Sequence, residues 1–306
     1  MSRANRVGNL LGVLLPTAGL LLAIVLLWGS LVGIEALAIT AALYFLTGGL
    51  GISVGFHRLF SHRSYEVVRP VRFAFAALGT MAMMGPIVRW VTNHRKHHAY
   101  TDEEGDPHSP HVSRGRGLRG AASGLWHAHI GWIFTDERAS PQRYARDLLA
   151  DPVVMFVQRT SALWVALGLA LPFAAGWALG GTLEAALIAL LWGGPVRIFL
   201  VHHITFSINS LCHFTGSRRF PTEDESRNVG WLAPLSFGEC WHNNHHAFPT
   251  SPFHGLRRRE LDPGRAVIRA LERLGLAWDV KRVSPERQRA KLEGSSVAPG
   301  VAPFSR

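Results

Sequence analysis

The stretch Leu10–Trp28, "LLGVLLPTAGLLLAIVLLW", decides the fold class because nineteen consecutive residues carry no charge. A helix needs about 20 apolar residues to cross a bilayer. Pro16 does not argue against a span, since membrane helices tolerate proline where neighbours satisfy the freed backbone groups. The run follows "MSRANR" and has no convincing small-residue cleavage site, so it predicts a membrane span rather than a signal peptide.

Three more apolar runs predict three further spans: residues 31–56, 160–179 and about 185–206. Two short connections without Lys or Arg, Gly29–Ser30 and Gly180–Gly181, join the four runs into two hairpins. Arginines instead crowd the N-terminus, the middle segment and the chain after Arg218. Because Lys and Arg mark cytoplasmic loops, both termini and the middle segment are expected to face the cytoplasm.

Charge and cysteine content limit the classes of protein that this chain can be. The net charge of +11 over 306 residues would suit a nucleic-acid binder, but the basic residues lie between the apolar runs, and the spans exclude that class. Cys212 and Cys240 cannot form a disulfide framework and indicate a reducing compartment.

Residues 1–283 are expected to form one membrane domain. Residues 284–306 have few large apolar side chains and predict a disordered tail.

Eight of the sixteen histidines fall in three short clusters. They are "HRLFSH" (His57 and His62), "HRKHH" (His94, His97 and His98) and "HNNHH" (His242, His245 and His246). In a His-x-x-His-His cluster, positions i, i+3 and i+4 share one face of a helix, so three imidazoles point to one place. Neutral imidazole binds iron, zinc or copper. Eight such ligands exceed what one ion takes, so the clusters predict a two-metal centre.

The remaining histidines have weaker claims. Single surface histidines have no metal role in most proteins, and this expectation covers His108, His111, His127 and His254. His202 and His203, near the end of the fourth run, are expected to surround the ligands rather than bind metal. A metal-storage tract would be one contiguous histidine-rich stretch. The three clusters are separated along the chain and do not fit that description.

The histidines also determine how the ambiguous stretch Phe73–Val88 is placed. Its 16 uncharged residues, between Arg72 and Arg89, are few for a span. If the stretch crossed the bilayer, the first and second clusters would lie on opposite sides of the membrane. We therefore expect an interfacial or re-entrant helix. The predicted fold is an all-α membrane protein with four spans and a cytoplasmic helical cap that holds the histidines.

Five motifs resemble the membrane fatty-acid desaturases: "GFHRLFSHRSY", "NHRKHH", "HIGW", "INSLCH" and "GECWHNNHHAFP". "HIGW" and "INSLCH" extend the resemblance to the Δ9 branch, which includes stearoyl-CoA desaturases. The resemblance implies a non-haem di-iron centre with nine ligands: His57, His62, His94, His97, His98, His213, His242, His245 and His246. It also implies that Asn209 holds a water on one iron. Asn209 and His213 are i and i+4, on one face of a helix that extends the fourth span.

The resemblance implies an O2-dependent enzyme that places a cis double bond, at Δ9, in a saturated C16–C18 acyl chain. No flavin or dinucleotide motif is present, so electrons are expected from a separate donor such as a ferredoxin with its reductase. An arginine-rich face could dock such an acidic donor or bind anionic membrane lipid, and both interpretations stay open. This face consists of Arg114, Arg116, Arg119, Arg218, Arg219 and Arg257–Arg259. The expected location is the plasma membrane of a bacterium.

The acyl carrier is the open point. Where the animal acyl-CoA enzymes have an Arg-Lys pair after "HxGW", this chain has Asp136 and Glu137, which repel phosphate. Thr92–Asn93 likewise replaces an Arg-Asp pair. An acyl-CoA substrate is favoured narrowly, with an acyl-lipid as the alternative. A di-iron hydroxylase is less favoured. A zinc hydrolase or a metal transporter would need a catalytic carboxylate among the ligands or several polar residues inside the spans, and only Glu35 and Arg197 support it.

Overall fold

The computed structural model describes residues 3–28, 33–112, 115, 117–135 and 139–294. Several residues used in the predictions lie outside this part of the chain: Gly29, Ser30, Arg114, Arg116, Asp136, Glu137 and the tail from residue 295. The helices are α1 (Arg3–Trp28), α2 (Ile34–Tyr44), α3 (Arg69–Met81), α4 (Ile87–Ala99), α5 (Gly117–His129), α6 (Pro141–Tyr144), α7 (Arg146–Ala150), α8 (Pro152–Arg159), α9 (Ser161–Gly180), α10 (Leu183–Leu191), α11 (Arg197–Ser210), α12 (Ala233–Ser236), α13 (His242–Ala247), α14 (Pro263–Arg273) and α15 (Pro285–Leu292).

Shorter elements join these helices. Two π-helical segments follow α2 and α10 directly: Phe45–Ser61 and Trp192–Val196. The described residues also include three 3₁₀ turns, at Gly131–Phe134, Leu211–His213 and Gly230–Leu232. Strands β1 (Glu66–Val67) and β2 (Ala277–Trp278) pair antiparallel, with Glu66 opposite Trp278. The small ladder ties the chain after the first histidine cluster to the segment after α14.

The four predicted spans are confirmed as helices long and apolar enough to cross a membrane. In the described residues they run over Arg6–Leu26, Ile34–Ser61, Ser161–Gly180 and Leu183–His213. The second and fourth extend beyond the predicted ends at residues 56 and 206. Because of this extension the second span carries His57 and the fourth ends at His213. Two predicted ligands therefore lie on the spans themselves.

The second span widens into a π-helix over Phe45–Ser61 and remains tightly packed. Its hydrogen bonds join residues five apart, as in the bond from His62 N to His57 O at 3.1 Å. A Cβ at Gly51 would lie 2.4 Å from the backbone N of Gly79, so only glycine allows α3 to approach this closely. The close approach fixes α3 against the part of the span that carries the first cluster.

The prediction of one helix over residues 73–88 is wrong. Two helices, α3 and α4, occupy this region, and the chain between them turns at Met83 (φ 58°) and Gly85 (φ 93°). Pro86 explains the break, because proline lacks an N–H and disfavours helical geometry at the preceding residue. Neither helix is among the four candidate spans. The chain therefore reaches the second cluster, on α4, without a further helix of spanning length.

Arg197, which interrupts the fourth apolar run, is fully buried and joins the spans. Its guanidinium donates hydrogen bonds to Gly193 O, Thr47 Oγ1, Met81 O and Gly168 O. These acceptors belong to three spans and to the end of α3. Arg197 therefore acts as a structural connection and gives no support to a transport or hydrolase site.

The predicted disorder after residue 284 does not hold for its first residues, because Pro285–Leu292 forms α15. Ser284 caps this helix by accepting a hydrogen bond from Arg287 N, and proline occupies the first turn. Glu286 lies in the first turn and Lys291 in the last, which suits the helix dipole. Local capping therefore orders a polar segment that buries no side chain.

Candidate metal centre

The nine predicted ligands meet in two groups. The five-histidine group contains His57, His62, His94, His98 and His245. The four-histidine group contains His97, His213, His242 and His246. Within each group, one ligand atom from every histidine lies within 4.8 Å of the others. The Nε2 atoms of His62 and His94 are 2.7 Å apart, and those of His213 and His242 are 2.9 Å apart.

Each His-x-x-His-His cluster supplies both groups. On α4, His94 and His98 belong to the five-histidine group and His97 to the other. On α13 the sharing is reversed, with His242 and His246 in one group and His245 in the other. Since residues i and i+4 stack while i+3 is displaced around the helix, one helix can face two adjacent sites. The two groups are therefore neighbours.

The protonation of these imidazoles suits metal binding. Burial, followed by the neighbouring histidines, lowers the pKa of His94, His98, His242 and His245 well below the usual histidine value. They are therefore neutral near pH 7, which a histidine ligand must be. Within the described chain, the buried Nε2 atoms of His97 and His246 have no hydrogen-bond partner. Four neutral rings, together with the free nitrogens of His97 and His246, fit divalent transition-metal ions.

Four of the nine predicted ligands have a carboxylate on one ring nitrogen, and none of these four carboxylates was predicted from the sequence. The Nδ1 atoms of His97, His213 and His246 donate to Asp106, Asp102 and Asp224 at 2.9, 2.9 and 2.8 Å. The fourth contact joins His57 Nδ1 to Glu239. Such carboxylates orient a histidine and increase its basicity toward a metal. Three serve the four-histidine group and one the five-histidine group, so the two sites differ electrostatically.

The three aspartates are held in ionised form by the loops that carry them. Burial raises their pKa, but hydrogen bonds and the charge of the facing histidines outweigh it, so each pKa lies well below the ordinary value. Asp106 accepts from the backbone N–H groups of Asp102 and His108 at 2.9 and 3.0 Å. Asp102 accepts from Glu225 N at 2.9 Å. A signal for two of them was present in "TDEEGDPH", directly after the second cluster.

Two buried arginines hold the clusters in register. Arg58 donates to Glu239 at 3.0 Å and to Asp262 at 2.9 Å, which ties the first cluster to the third. Arg95, inside "HRKHH", binds the carbonyls of Phe60 and Ser61 at 2.7 and 2.9 Å. Both guanidinium groups are at most 2% exposed. The arginines therefore fix the backbone of the first cluster from two sides.

The single histidines are not all on the surface. His108 and His254 are buried, with ring centroids 4.4 Å from His97 and 4.5 Å from His245. Burial, followed by the charge of His97, lowers the pKa of His108 to about 3. The expectation of a surface position is therefore wrong for these two and for His127, and it holds for His111, which is exposed. His111 donates to His213 O, His202 to Ala82 O, and His203 lies 2.9 Å from His129, while His127 is buried in α5.

Two cavities adjoin the histidine groups. A cavity of 570 Å³, the large cavity, reaches from α1 and the turn between α3 and α4 to His94. A second cavity of 60 Å³, the small cavity, is lined by His57, His97 and His242 and bounded by Tyr44 and Phe237. The cavities share four lining residues: Trp90, His94, Thr205 and Asn209. An elongated molecule that occupied both would pass beside both groups, with Asn209 at the junction.

Comparison with known proteins agrees with this geometry. The family model "Fatty acid desaturase" matches residues 28–264. The chain is 41% identical to hex-5-enoyl-[acyl-carrier protein] acetylenase of Moorena producens (strain JHB), covering 90% of this chain and 86% of the relative. It is 38% identical to sn-1 stearoyl-lipid 9-desaturase of Anabaena variabilis (80% and 84% covered). It is 36% identical to icosanoyl-CoA 5-desaturase of Limnanthes douglasii (82% and 66% covered). This integral membrane protein therefore belongs to the fatty acid desaturase family, in its Δ9 branch of bacterial type.

Proposed function

We propose that this oxidoreductase introduces a cis double bond at Δ9 of a saturated C16–C18 acyl chain. The reaction removes one hydrogen from each of two adjacent carbons, and two electrons and two protons from a separate donor complete the reduction of O2 to two waters. The observation that carries the proposal is the position of the two cavities, which share four lining residues and adjoin both histidine groups. A linear apolar chain is the substrate shape that such a path accepts.

Two irons would be held by the two histidine groups, whose converging imidazole nitrogens fit them. When bound, iron supplies the O2 chemistry that acid–base side chains lack, because an unactivated methylene C–H bond resists proton transfer. The chain positions the histidines through Asp102, Asp106, Asp224 and Glu239. Asn209, which lines both cavities, would hold a water on one iron. The walls around the junction keep bulk water from the reacting carbons.

A lipid-bound acyl chain is the substrate that we favour over acyl-CoA, which remains the alternative. The named substrates of the relatives include an acyl-carrier-protein thioester, a stearoyl-lipid and an acyl-CoA, so the carrier varies within the family. Withdrawing an acyl chain from the bilayer into water costs roughly 0.8 kcal/mol per CH2, or on the order of 12 kcal/mol for a C16 chain. The large cavity is bounded by the first span, so a chain already in the bilayer reaches the centre without that cost.

The electron donor is proposed to dock on the cytoplasmic side, at the arginine-rich face. Of its described members, Arg119, Arg218 and Arg257–Arg259 are exposed. Arg218 is paired with Glu225, and Arg219 lies 3.9 Å from Glu260. The free positive charge therefore concentrates at residues 257–259, which suit an acidic partner such as a ferredoxin. Binding of the same arginines to anionic lipid is the competing interpretation.

Product analysis tests the proposed function. Purified protein, with ferredoxin and its reductase, is supplied with stearoyl-CoA and with a stearoyl phospholipid, and products are identified by mass spectrometry. A cis-alkene in the phospholipid and about two irons per chain are expected. An alcohol product would indicate a hydroxylase, and an alkene formed only from stearoyl-CoA would overturn the lipid assignment. His245→Ala should abolish turnover. The matched control His203→Ala, on the fourth span outside both groups, should retain it.

A further inference from the structure

The N-terminal half of α1 stands away from the other spans. At Gly19 the helix is in tight contact, since an added Cβ would lie 2.3 Å from Pro195 Cβ. At Gly8 and Gly12 an added Cβ would meet no atom within 4 Å. The three glycines lie on one face of the helix. The separation is therefore a gap beside α1, and this gap is part of the large cavity, which Gly8 and Gly12 line.

The outer wall of the gap faces the bilayer. Leu11 and Leu15 line the large cavity and yet are 47% and 59% exposed. Because they belong to the first span, their exposed surface is covered by lipid. The opposite wall is the half-buried turn Met83–Pro86 between α3 and α4. The cavity therefore extends from a lipid-covered helix surface to His94 and Asn209 at the metal centre.

The gap has defined ends. The Asn9 side chain donates a hydrogen bond to Ile133 O, which ties α1 to the 3₁₀ turn Gly131–Phe134. The Gly19–Pro195 contact closes the other end. These contacts are ten residues apart, which corresponds to about 15 Å along a helix. A slot of this length, leading into a cavity of 570 Å³, has the dimensions of a ligand entrance rather than of a packing defect.

We propose that this slot, between residues 8–16 of α1 and the turn Met83–Pro86, is a lateral portal through which an acyl chain enters from a membrane lipid. The proposal rests on the proposed function and adds the route of entry. The apolar side chains of Leu11, Leu15 and Met84 provide the surface along which the chain leaves the bilayer. The lipid head group stays at the membrane surface during this step. A lipid, unlike a water-soluble thioester, is already present on the side where the slot opens.

The test uses the full chain in vesicles of 1-stearoyl-2-oleoyl-phosphatidylglycerol that contain a small fraction of the same lipid with a diazirine on the stearoyl chain. After irradiation, cross-linked residues are mapped by mass spectrometry. We expect label on Met84 and Trp90. Gly12→Phe fills the slot with a side chain whose Cβ meets no atom. In the Gly12→Phe variant, the amount of label on Met84 and Trp90 should fall at least about tenfold, because even a single methylene changes the occupancy of a pocket by ~10-fold or more.

Leu14→Phe is the matched control, because Leu14 lies on the same helix, is 52% exposed and does not line the cavity. It should label like the unmodified chain. If Gly12→Phe loses bound metal or thermal stability, Gly8→Phe is used in its place. If both variants are destabilised, the positions of the cross-linked residues in the unmodified chain decide the test. The portal proposal is overturned if the label is confined to residues outside the cavity, or if Gly12→Phe is labelled as strongly as the unmodified chain. Cross-linking needs no turnover, so portal labelling without alkene would instead refute the proposed function.

Discussion

Asp224→Asn should weaken the metal at the four-histidine group and leave the five-histidine group intact. Asp224 Oδ2 accepts from His246 Nδ1 at 2.8 Å, and Oδ1 accepts from Ser226 N at 3.0 Å. An asparagine side chain has one oxygen and one NH2 group, so it can accept from only one of these two N–H donors. Its NH2 group faces the other donor, and that hydrogen bond is lost. A hydrogen bond to a charged group contributes about 1.5–3 kcal/mol. Loss of a carboxylate behind a histidine ligand lowers metal affinity by roughly 10- to 100-fold.

The measurement is a chelator titration of the purified protein, followed by metal analysis and thermal unfolding. We expect one of two irons to be released at about 10- to 100-fold lower chelator concentration than in the unmodified chain. Glu225→Gln is the matched control, since it is the adjacent carboxylate and binds Arg218 and Arg227 instead of a histidine. It should retain both irons. Equal affinities in Asp224→Asn and Glu225→Gln, or loss of both irons together, would refute the reasoning.

Three further predictions concern stability and orientation. His108 has a pKa of about 3 in the folded chain against 6.5 when free, so the unfolded chain binds more protons between these values. Stability should therefore fall as pH drops below 6.5; an unchanged melting temperature of the metal-free protein between pH 7.5 and 5 would contradict this. Arg197→Met leaves buried carbonyls without their donor and should cost at least about 2 kcal/mol, seen as a lower melting temperature than in Arg197→Lys; equal melting temperatures would count against it. Because both cysteines are buried, a cysteine at exposed Arg258 should react with an impermeant reagent only from the cytoplasm and one at exposed Glu184 only from outside, and the reverse pattern would overturn the orientation.

The first histidine cluster shows a limit of prediction from periodicity. His57 and His62 are five residues apart, a spacing that places two side chains on different sides of an α-helix. In the structure the π-helix joins His57 O to His62 N, and the ring centroids lie 4.8 Å apart. That helix is in close contact with α3 at Gly51 and Gly79. Because α3 is distant in sequence from the start of the span, no local pattern could reveal it.

The carboxylates behind the histidines were missed for a related reason. Asp102 lies 111 residues from His213 in sequence, and Glu239 comes from a different cluster than His57. An acidic residue in a polar loop is ordinarily a solvated surface group. Only the fold, held by Arg58 and Arg95, places these residues against a buried ring.

The sequence by itself determined the four spans and the eight clustered histidines, because run length and helical spacing are local properties, and the family resemblance added His213. It also determined the family, through motifs that keep their order along the chain. Tertiary structure alone decided how the nine histidines divide into five and four, which carboxylates support them, and where the gap beside α1 opens. Apart from the His97–Asp106 pair, which is nine residues apart, these features depend on contacts between segments far apart in sequence, and no local pattern encodes such a contact.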